Sequence, residues 1–174
     1  MKSNIILATL CVGFLSSGAV YGHHCPSIPK NWDGKTLEAS GPLTWSVGKM
    51  TSNLNLAKVS WQPHQAWIFT KTKKKQEKNG YFKCIYKAVD DDTKKVVGRL
   101  MIITPNTPDL EKLAAASEFK GEKEGATKKT ATVENGYANK DETITGAKCV
   151  PIKGDLKTLN TFPSACDIIS KPKK

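Results

Sequence analysis

A two-residue alternation over residues 61–103 constrains the fold of this chain more than any other feature. In its first part the alternating sets are Gln65, Trp67 and Phe69 against Ala66, Ile68 and Thr70. In its second part they are Tyr81, Lys83, Ile85 and Lys87 against Phe82, Cys84, Tyr86 and Ala88. A period of two with aromatic and β-branched side chains predicts strands. Asn79 and Gly80 tolerate the positive φ of a type I′ turn, so they predict a hairpin turn before the second strand.

Further strands flank this hairpin. Polar residues at 90–93 predict a turn, and residues 96–103 then return as a third strand. Shorter runs predict strands at 43–47 and 54–61, and residues 144–152 are expected to rejoin the sheet. The pattern therefore predicts a mainly β domain, a small antiparallel sheet or sandwich with one short helix.

The helix is expected after the third strand. Thr107 is a good N-cap residue and a proline follows it, which predicts a helix over residues 108–118. The next stretch, 120–141, is rich in Gly, Lys, Glu, Thr and Asn. We expect it to be either mobile or a small exposed hairpin around Asn135 and Gly136.

The first 22 residues have the pattern of an export signal. Their apolar run at 5–15 is too short to span a bilayer, and small residues follow it. We place the cleavage after Gly22, with Ala19 and Tyr21 as alternative positions. Residues 23–174 then form a single secreted or periplasmic domain, because about 150 residues suit one hydrophobic core.

Cysteine usage agrees with export. Removal of the signal discards Cys11 and leaves Cys25, Cys84, Cys149 and Cys166. An even number in an exported chain predicts two disulfides, and the spacing alone leaves three connectivities open. We favour Cys25–Cys84, which would attach the mature N-terminus to the hairpin, and Cys149–Cys166, which would close a C-terminal loop. A zinc site is disfavoured because no C-x-x-C pair exists.

The charge is strongly positive and comes almost entirely from lysine. The chain has 27 Lys and Arg against 16 Asp and Glu, a net charge of +11, and Arg99 is its one arginine. Sequence-specific recognition of nucleic acid usually employs bidentate arginine, so the composition argues against it. It favours an unknown protein or an anionic surface as partner.

A lysine cluster lies at the tip of the predicted hairpin. Its members are Lys71, Lys73, Lys74, Lys75 and Lys78. Trp67, Phe69 and Tyr81 lie at its base, and cations interleaved with aromatic rings can bind anionic polymers or lipid head groups. The more usual role of such a run is a solvated tip that discourages edge-to-edge association of sheets.

Tryptophan raises a second question about binding. Trp45, Trp61 and Trp67 lie on predicted strands, and Trp32 precedes them. Exposed tryptophans can stack on sugars, but tryptophan at strand spacing more often belongs to the core. We therefore expect the three strand tryptophans in the core.

Two adjacent histidines stand at the expected cleavage site. Cleavage after Gly22 would give His23 a free α-amino group beside its imidazole, and His24 or His64 could add another nitrogen ligand for copper. Cleavage after Tyr21 would instead place His23 and His24 second and third, an arrangement that suits Cu(II) or Ni(II). The alternative is that adjacent histidines near a cleavage site are incidental.

Common catalytic motifs are missing from the sequence. It contains neither G-x-S-x-G nor H-E-x-x-H, and two disulfides would leave no free cysteine nucleophile in the mature chain. Asp90, Asp91 and Asp92 lack the glycine and closing glutamate of a calcium loop. His64 could serve as a general base in a small hydrolase, but the sequence assigns it no partner.

Short motifs add a resemblance to a known group of proteins. They are Cys25-Pro26-Ser27-Ile28 at the mature start, a Trp-containing strand, and Phe82-Lys83-Cys84-Ile85-Tyr86 later in the chain. Together with the signal, they resemble an uncharacterised family of small exported bacterial proteins, a domain of unknown function, over about residues 25–88. The resemblance implies no activity or cofactor, and it lends support to pairing Cys25 with Cys84.

These observations favour an exported, non-enzymatic binding or interaction protein that acts on an anionic envelope or host surface. The alternative is a copper-binding protein that uses the mature N-terminus. A small hydrolase ranks last.

Overall fold

The computed structural model describes residues 22–72, 81–140, 144–152 and 161–172. Its strands are β1 Ser46–Met50, β2 Val59–Thr72, β3 Phe82–Asp90, β4 Val96–Ile103, β5 Ser117–Phe119, β6 Ala131–Ala138, β7 Ile144–Pro151 and β8 Ile168–Ser170. The helix α1 spans Pro108–Ala115, and 3₁₀ turns lie at Leu56–Lys58 and Ser164–Cys166. The predicted signal before Gly22 and the predicted turn at Asn79 and Gly80 lie outside the described residues.

Six strands form one antiparallel sheet in the order β1-β4-β3-β2-β7-β6, and β5 pairs with β8 in a small second sheet. The 14-residue β2 pairs with β3 on one side and with β7 on the other. Ile68 lies opposite Phe82, which confirms the antiparallel pairing of the two predicted strands. The mainly β, antiparallel fold is therefore the one that the alternation predicted.

One face of the large sheet forms the core. The buried strand residues of this inner face include Trp61, Ala66, Ile68, Phe82, Cys84, Tyr86, Ala88, Leu100, Ile102, Ala147 and Cys149. The segment after Cys25 covers them: Trp32 packs edge-on against Trp61 with ring centroids 5.8 Å apart, and Tyr86 Oη donates to Pro26 O at 2.5 Å. The burial of alternate residues along β3 confirms the predicted period of two.

Both favoured disulfides are present. Cys25 is bonded to Cys84, 59 residues along the chain, and Cys149 is bonded to Cys166, 17 residues along. The first bond holds the N-terminal segment on the inner face. The second holds the 3₁₀ turn that precedes β8 against β7.

The helix begins as predicted and ends early. Thr107 is the N-cap, and its Oγ1 accepts a hydrogen bond from Leu110 N. The helix ends at Ala115 instead of continuing to 118, because residues from Ser117 onward pair with β8. No helix among the described residues is both long enough and apolar enough to cross a membrane.

The two short predicted strands were misplaced. The first begins at Ser46, because Leu43 is buried in an isolated bridge with Ser40 before the chain reaches the sheet. Within 54–61, a 3₁₀ turn precedes Val59, where β2 begins. Of the apolar residues in these two runs, Leu43, Val59 and Trp61 are buried, whereas Val47 is 36% exposed and Ala57 is exposed.

The hairpin expected around Asn135 and Gly136 is wrong. Both residues lie inside β6, where the register against β7 shifts between Asn135 and Tyr137. Gly136 has φ of +91°, a conformation that favours glycine, so the Asn-Gly pair forms a bulge instead of a turn.

Candidate functional site

The open face of the large sheet, on the side away from the core, carries most of the sheet's partly exposed functional side chains. Trp67 lies at its centre, directly between Lys83 of β3 and Lys148 of β7. All three side chains are half-buried. The prediction that Trp67 belongs to the core is therefore wrong, because it alternates with the buried Ala66 and Ile68.

Three aromatic rings form a compact group on the open face. The Trp67 and Phe69 rings are nearly parallel, at 6° with centroids 5.7 Å apart. Tyr137 meets Trp67 edge-on at 5.2 Å and 82°. The bulge in β6 brings Tyr137 to this face, because it shifts Tyr137 into register with Gly146 while Asn135 lies opposite Ala147.

Two lysines lie over these rings. Lys148 Nζ is 5.0 Å from the Trp67 centroid and 5.9 Å from that of Tyr137, while Lys83 Nζ is 4.8 Å from that of Phe69. Such contacts attract an ammonium group to the ring face. Burial lowers the pKa of Lys83, because desolvation disfavours its charged form.

Neither lysine has an ionic partner among the described residues. The ion pairs there are Lys30–Asp91 and Lys58–Asp92, both away from the aromatic group. Glu134 lies opposite Lys148 in the β6–β7 register but forms no ion pair with it. The two ammonium groups are thus held by rings and remain available to an external anion.

The same face continues toward β1 with further cations. Lys87 lies directly opposite Arg99, and Lys49 lies opposite Met101. Between these cations is a shallow depression of about 600 Å³. Its lining residues are Lys49, Thr51, Ile85, Val96, Val97, Gly98, Arg99 and Met101.

The predicted lysine cluster at the hairpin tip stays a prediction, and the structure adds a second set of lysines beside the aromatic group. Lys73, Lys74, Lys75 and Lys78 lie outside the described residues, and for Lys71 only the backbone is described, opposite Thr145. Lys83 and Lys148 are the lysines next to Trp67. Their strand registers, which no local pattern contains, bring them together.

Of the predicted aromatic base, Trp67 and Phe69 do lie side by side. Tyr81 instead packs against the core, and burial followed by its hydrogen bond to Glu111 raises its pKa. Tyr137 takes the third position in the aromatic group. The sequence predicted only that the stretch containing Tyr137 is either mobile or a small exposed hairpin, and the bulge in β6 explains its place.

Of the three predicted copper ligands, His23 and His24 lie together and His64 lies apart from them. His23 and His24 both line a pocket of about 570 Å³, while His64 lies half-buried at a register shift in β2. His23 N donates to Ile168 O at 2.8 Å, and burial and then the charge of His24 lower the pKa of His23. Within the described ranges no three His, Cys, Asp or Glu side chains converge as a metal site would require.

Comparison with known proteins leaves the open face as the main guide to function. No protein-family model, curated protein or solved structure matches the chain. The resemblance to exported bacterial proteins of unknown function stays an expectation.

Proposed function

We propose that this chain is an exported, non-enzymatic binding protein that attaches to an anionic surface or polymer through the open face of its sheet. The observation that carries the proposal is the pair Lys83 and Lys148, which lie over aromatic rings without an ionic partner among the described residues. Export rests on the predicted signal. The two disulfides support it, because such bonds persist in oxidising compartments.

Burial of Lys83 is the strongest physical support. A partly buried cation without a counter-ion costs folding free energy, which an external anion would offset on binding. The rings restrict the lysine side chains, so less rotamer entropy remains to be lost when an anion binds. These features distinguish Lys83 and Lys148 from the many solvated lysines of the chain.

Salt dependence tests the proposal directly. Purified mature protein is mixed with anionic phosphatidylglycerol vesicles, neutral phosphatidylcholine vesicles and immobilised heparin at about 0.05 and 0.2 M salt. We expect binding to at least one anionic probe, none to the neutral vesicles, and a steep loss at higher salt. Absence of binding to every anionic probe, or binding that salt leaves unchanged, would contradict it.

A second comparison locates the binding residues. We expect replacement of Lys83 and Lys148 by Gln to weaken attachment more than replacement of Lys73 and Lys74 at the predicted hairpin tip. Both variants remove the same charge. The reverse order would assign attachment to the tip and contradict the role of the open face.

A further inference from the structure

We infer that the anionic ligand is an acidic polysaccharide, a chain bearing repeated carboxylate or sulfate groups, that lies across the strands of the open face. The inference rests on the proposed function and specifies its ligand class. It follows from the separation of the cations, the engagement of the aromatic rings and the shortage of arginine.

Separated charges favour a polymer over a single small anion. Lys83 and Lys148 stand on strands at either side of β2, so their backbones are about 10 Å apart, or two strand spacings. Their ammonium groups lie over different rings, Phe69 and Trp67. Two charges held in this way meet two successive anionic groups of a chain, one on each side of β2.

Further cations lie on the open face beyond Lys83 and Lys148. Lys87 follows Lys83 on the same face of β3, about 13 Å along the strand. Arg99 lies beside it on β4, and Lys49 lies on β1. The positive charges therefore extend from β7 to β1 across the sheet, and Glu134, opposite Lys148 on the edge strand β6, lies at the end of this row. An extended anionic chain complements this distribution better than a compact ligand.

The rings are engaged within the protein, which argues against ligands that stack. Phe69 occupies one face of Trp67, Tyr137 packs edge-on to it, and the Trp67 indole N–H donates to Gln65 Oε1 at 3.2 Å. Binding of single-stranded nucleic acid depends on bases stacked upon free aromatic faces. With Arg99 the one arginine of the chain, bidentate recognition of phosphate is also limited.

The same rings are poorly placed for a membrane. Phe69 is only 7% exposed, and Trp67 is half-buried between its neighbours. Interfacial binding uses apolar side chains that enter the boundary between head groups and acyl chains. The rings of the open face instead hold lysines, and a hydrated anionic chain can contact those lysines without displacing any ring.

The test compares four probes with matched variants. Heparin and polygalacturonate represent sulfated and carboxylated chains, and oligothymidylate and phosphatidylglycerol vesicles represent the competing polyanions. The test variant carries Lys83→Gln and Lys148→Gln. The control carries Lys35→Gln and Lys112→Gln, two exposed lysines of which the second lies on α1, whose buried residues join the core on the inner face.

We expect the wild type to bind at least one polysaccharide more tightly than oligothymidylate or vesicles at equal salt. The test variant should lose about tenfold or more in polysaccharide affinity, with a salt slope lower by roughly two, because each lost cation–anion contact lowers it by roughly one. The control should change by less than about twofold, since neither of its lysines lies on a strand of the large sheet.

A competition measurement on the wild-type protein tests the inference independently of any folding defect in the variants. In competition for the polysaccharide that binds, its monosaccharide unit (galacturonate for polygalacturonate) should compete no better than chloride at equal ionic strength, whereas the free polymer competes strongly. Equal competition by the monomer would overturn the polymer inference. Tighter binding to vesicles or oligothymidylate than to either polysaccharide would overturn the ligand class and leave the proposed function standing, while failure of all four probes would remove both.

Discussion

The side-chain amide of Asn135 joins the two sheets, because it forms the two hydrogen bonds that a peptide group of a neighbouring strand would form. Its Oδ1 accepts from Phe119 N at 3.0 Å, and its Nδ2 donates to Phe119 O at 2.8 Å. The side-chain amide thereby connects β5 to the edge strand β6. Without it, the N–H and C=O groups of Phe119 would lose these partners. Asn-Gly is a strong turn signal in a sequence, yet here the asparagine serves a tertiary contact.

Replacement of Asn135 by Ala should destabilise the protein by about 1–2 kcal/mol, because two hydrogen bonds to one residue are lost. Urea unfolding followed by tryptophan fluorescence measures the change. Thr132→Ala, at an exposed position of the same strand, is the control and should cost less. A cost equal to that of the control would show that the amide contributes nothing to the junction.

Copper binding at His23 stays a prediction at the same scale. Protein from the exported fraction, exposed to Cu(II) and measured by native mass spectrometry, should carry one copper on a chain that starts at His23. His23→Ala should abolish this adduct, and His64→Ala should weaken it only if His64 is a ligand. A mature chain with both disulfides and no copper would contradict the hypothesis.

Among the elements, β7 lies tightly against β2 at Gly146. This glycine pairs with Phe69 of β2 and with Tyr137 of β6. A Cβ added there would lie 1.8 Å from Ile68 O, so any side chain would push the strands apart. The glycine therefore lets the strands that carry Trp67, Phe69 and Tyr137 come together.

Gly146→Ala should lower stability by about 3 kcal/mol or more, because a backbone atom cannot move aside as a flexible side chain can. The near-ultraviolet circular dichroism of the aromatic group should change with it. Gly125→Ala is the control for backbone strain alone: no atom lies within 4 Å of its added Cβ, but its φ of +77° should cost about 1–2 kcal/mol of stability with any other side chain. A small, equal loss in both variants would show that β7 tolerates displacement.

Across the whole molecule, the two disulfides constrain chain segments of different length. The Cys25–Cys84 bond spans 59 residues, and the Cys149–Cys166 bond spans 17. Closing a longer loop removes more entropy from the unfolded chain. The first bond also holds the segment that covers Trp61 and Tyr86 on the inner face.

Replacing Cys25 and Cys84 by Ala should lower the free energy of unfolding by about 4 kcal/mol. Replacing Cys149 and Cys166 by Ala should lower it by about 3 kcal/mol. Differential scanning calorimetry of the two double variants shows which of them loses more stability. Each variant serves as the control for the other. A larger loss from the shorter loop would show that strain or residual unfolded structure outweighs loop entropy.

Local signals in the sequence determined much of the fold. Alternation along β3 predicted two faces, because side chains of a strand point to opposite faces in turn, and the structure buries the set Phe82, Cys84, Tyr86 and Ala88. Thr107 predicted the start of α1, because capping needs only residues three apart. The even cysteine count predicted two disulfides, and the favoured pairing among three proved correct.

Only the tertiary structure decided which cations and rings meet. The register of β7 on β2 places Lys148 beside Trp67, and the bulge in β6 carries Tyr137 to the same face. Register and bulges depend on contacts between segments far apart in the chain, so no window of sequence contains them. The sequence by itself determined the central strands, the helix cap and the basic charge, whereas the long-range pairing of strands decided where that charge is presented.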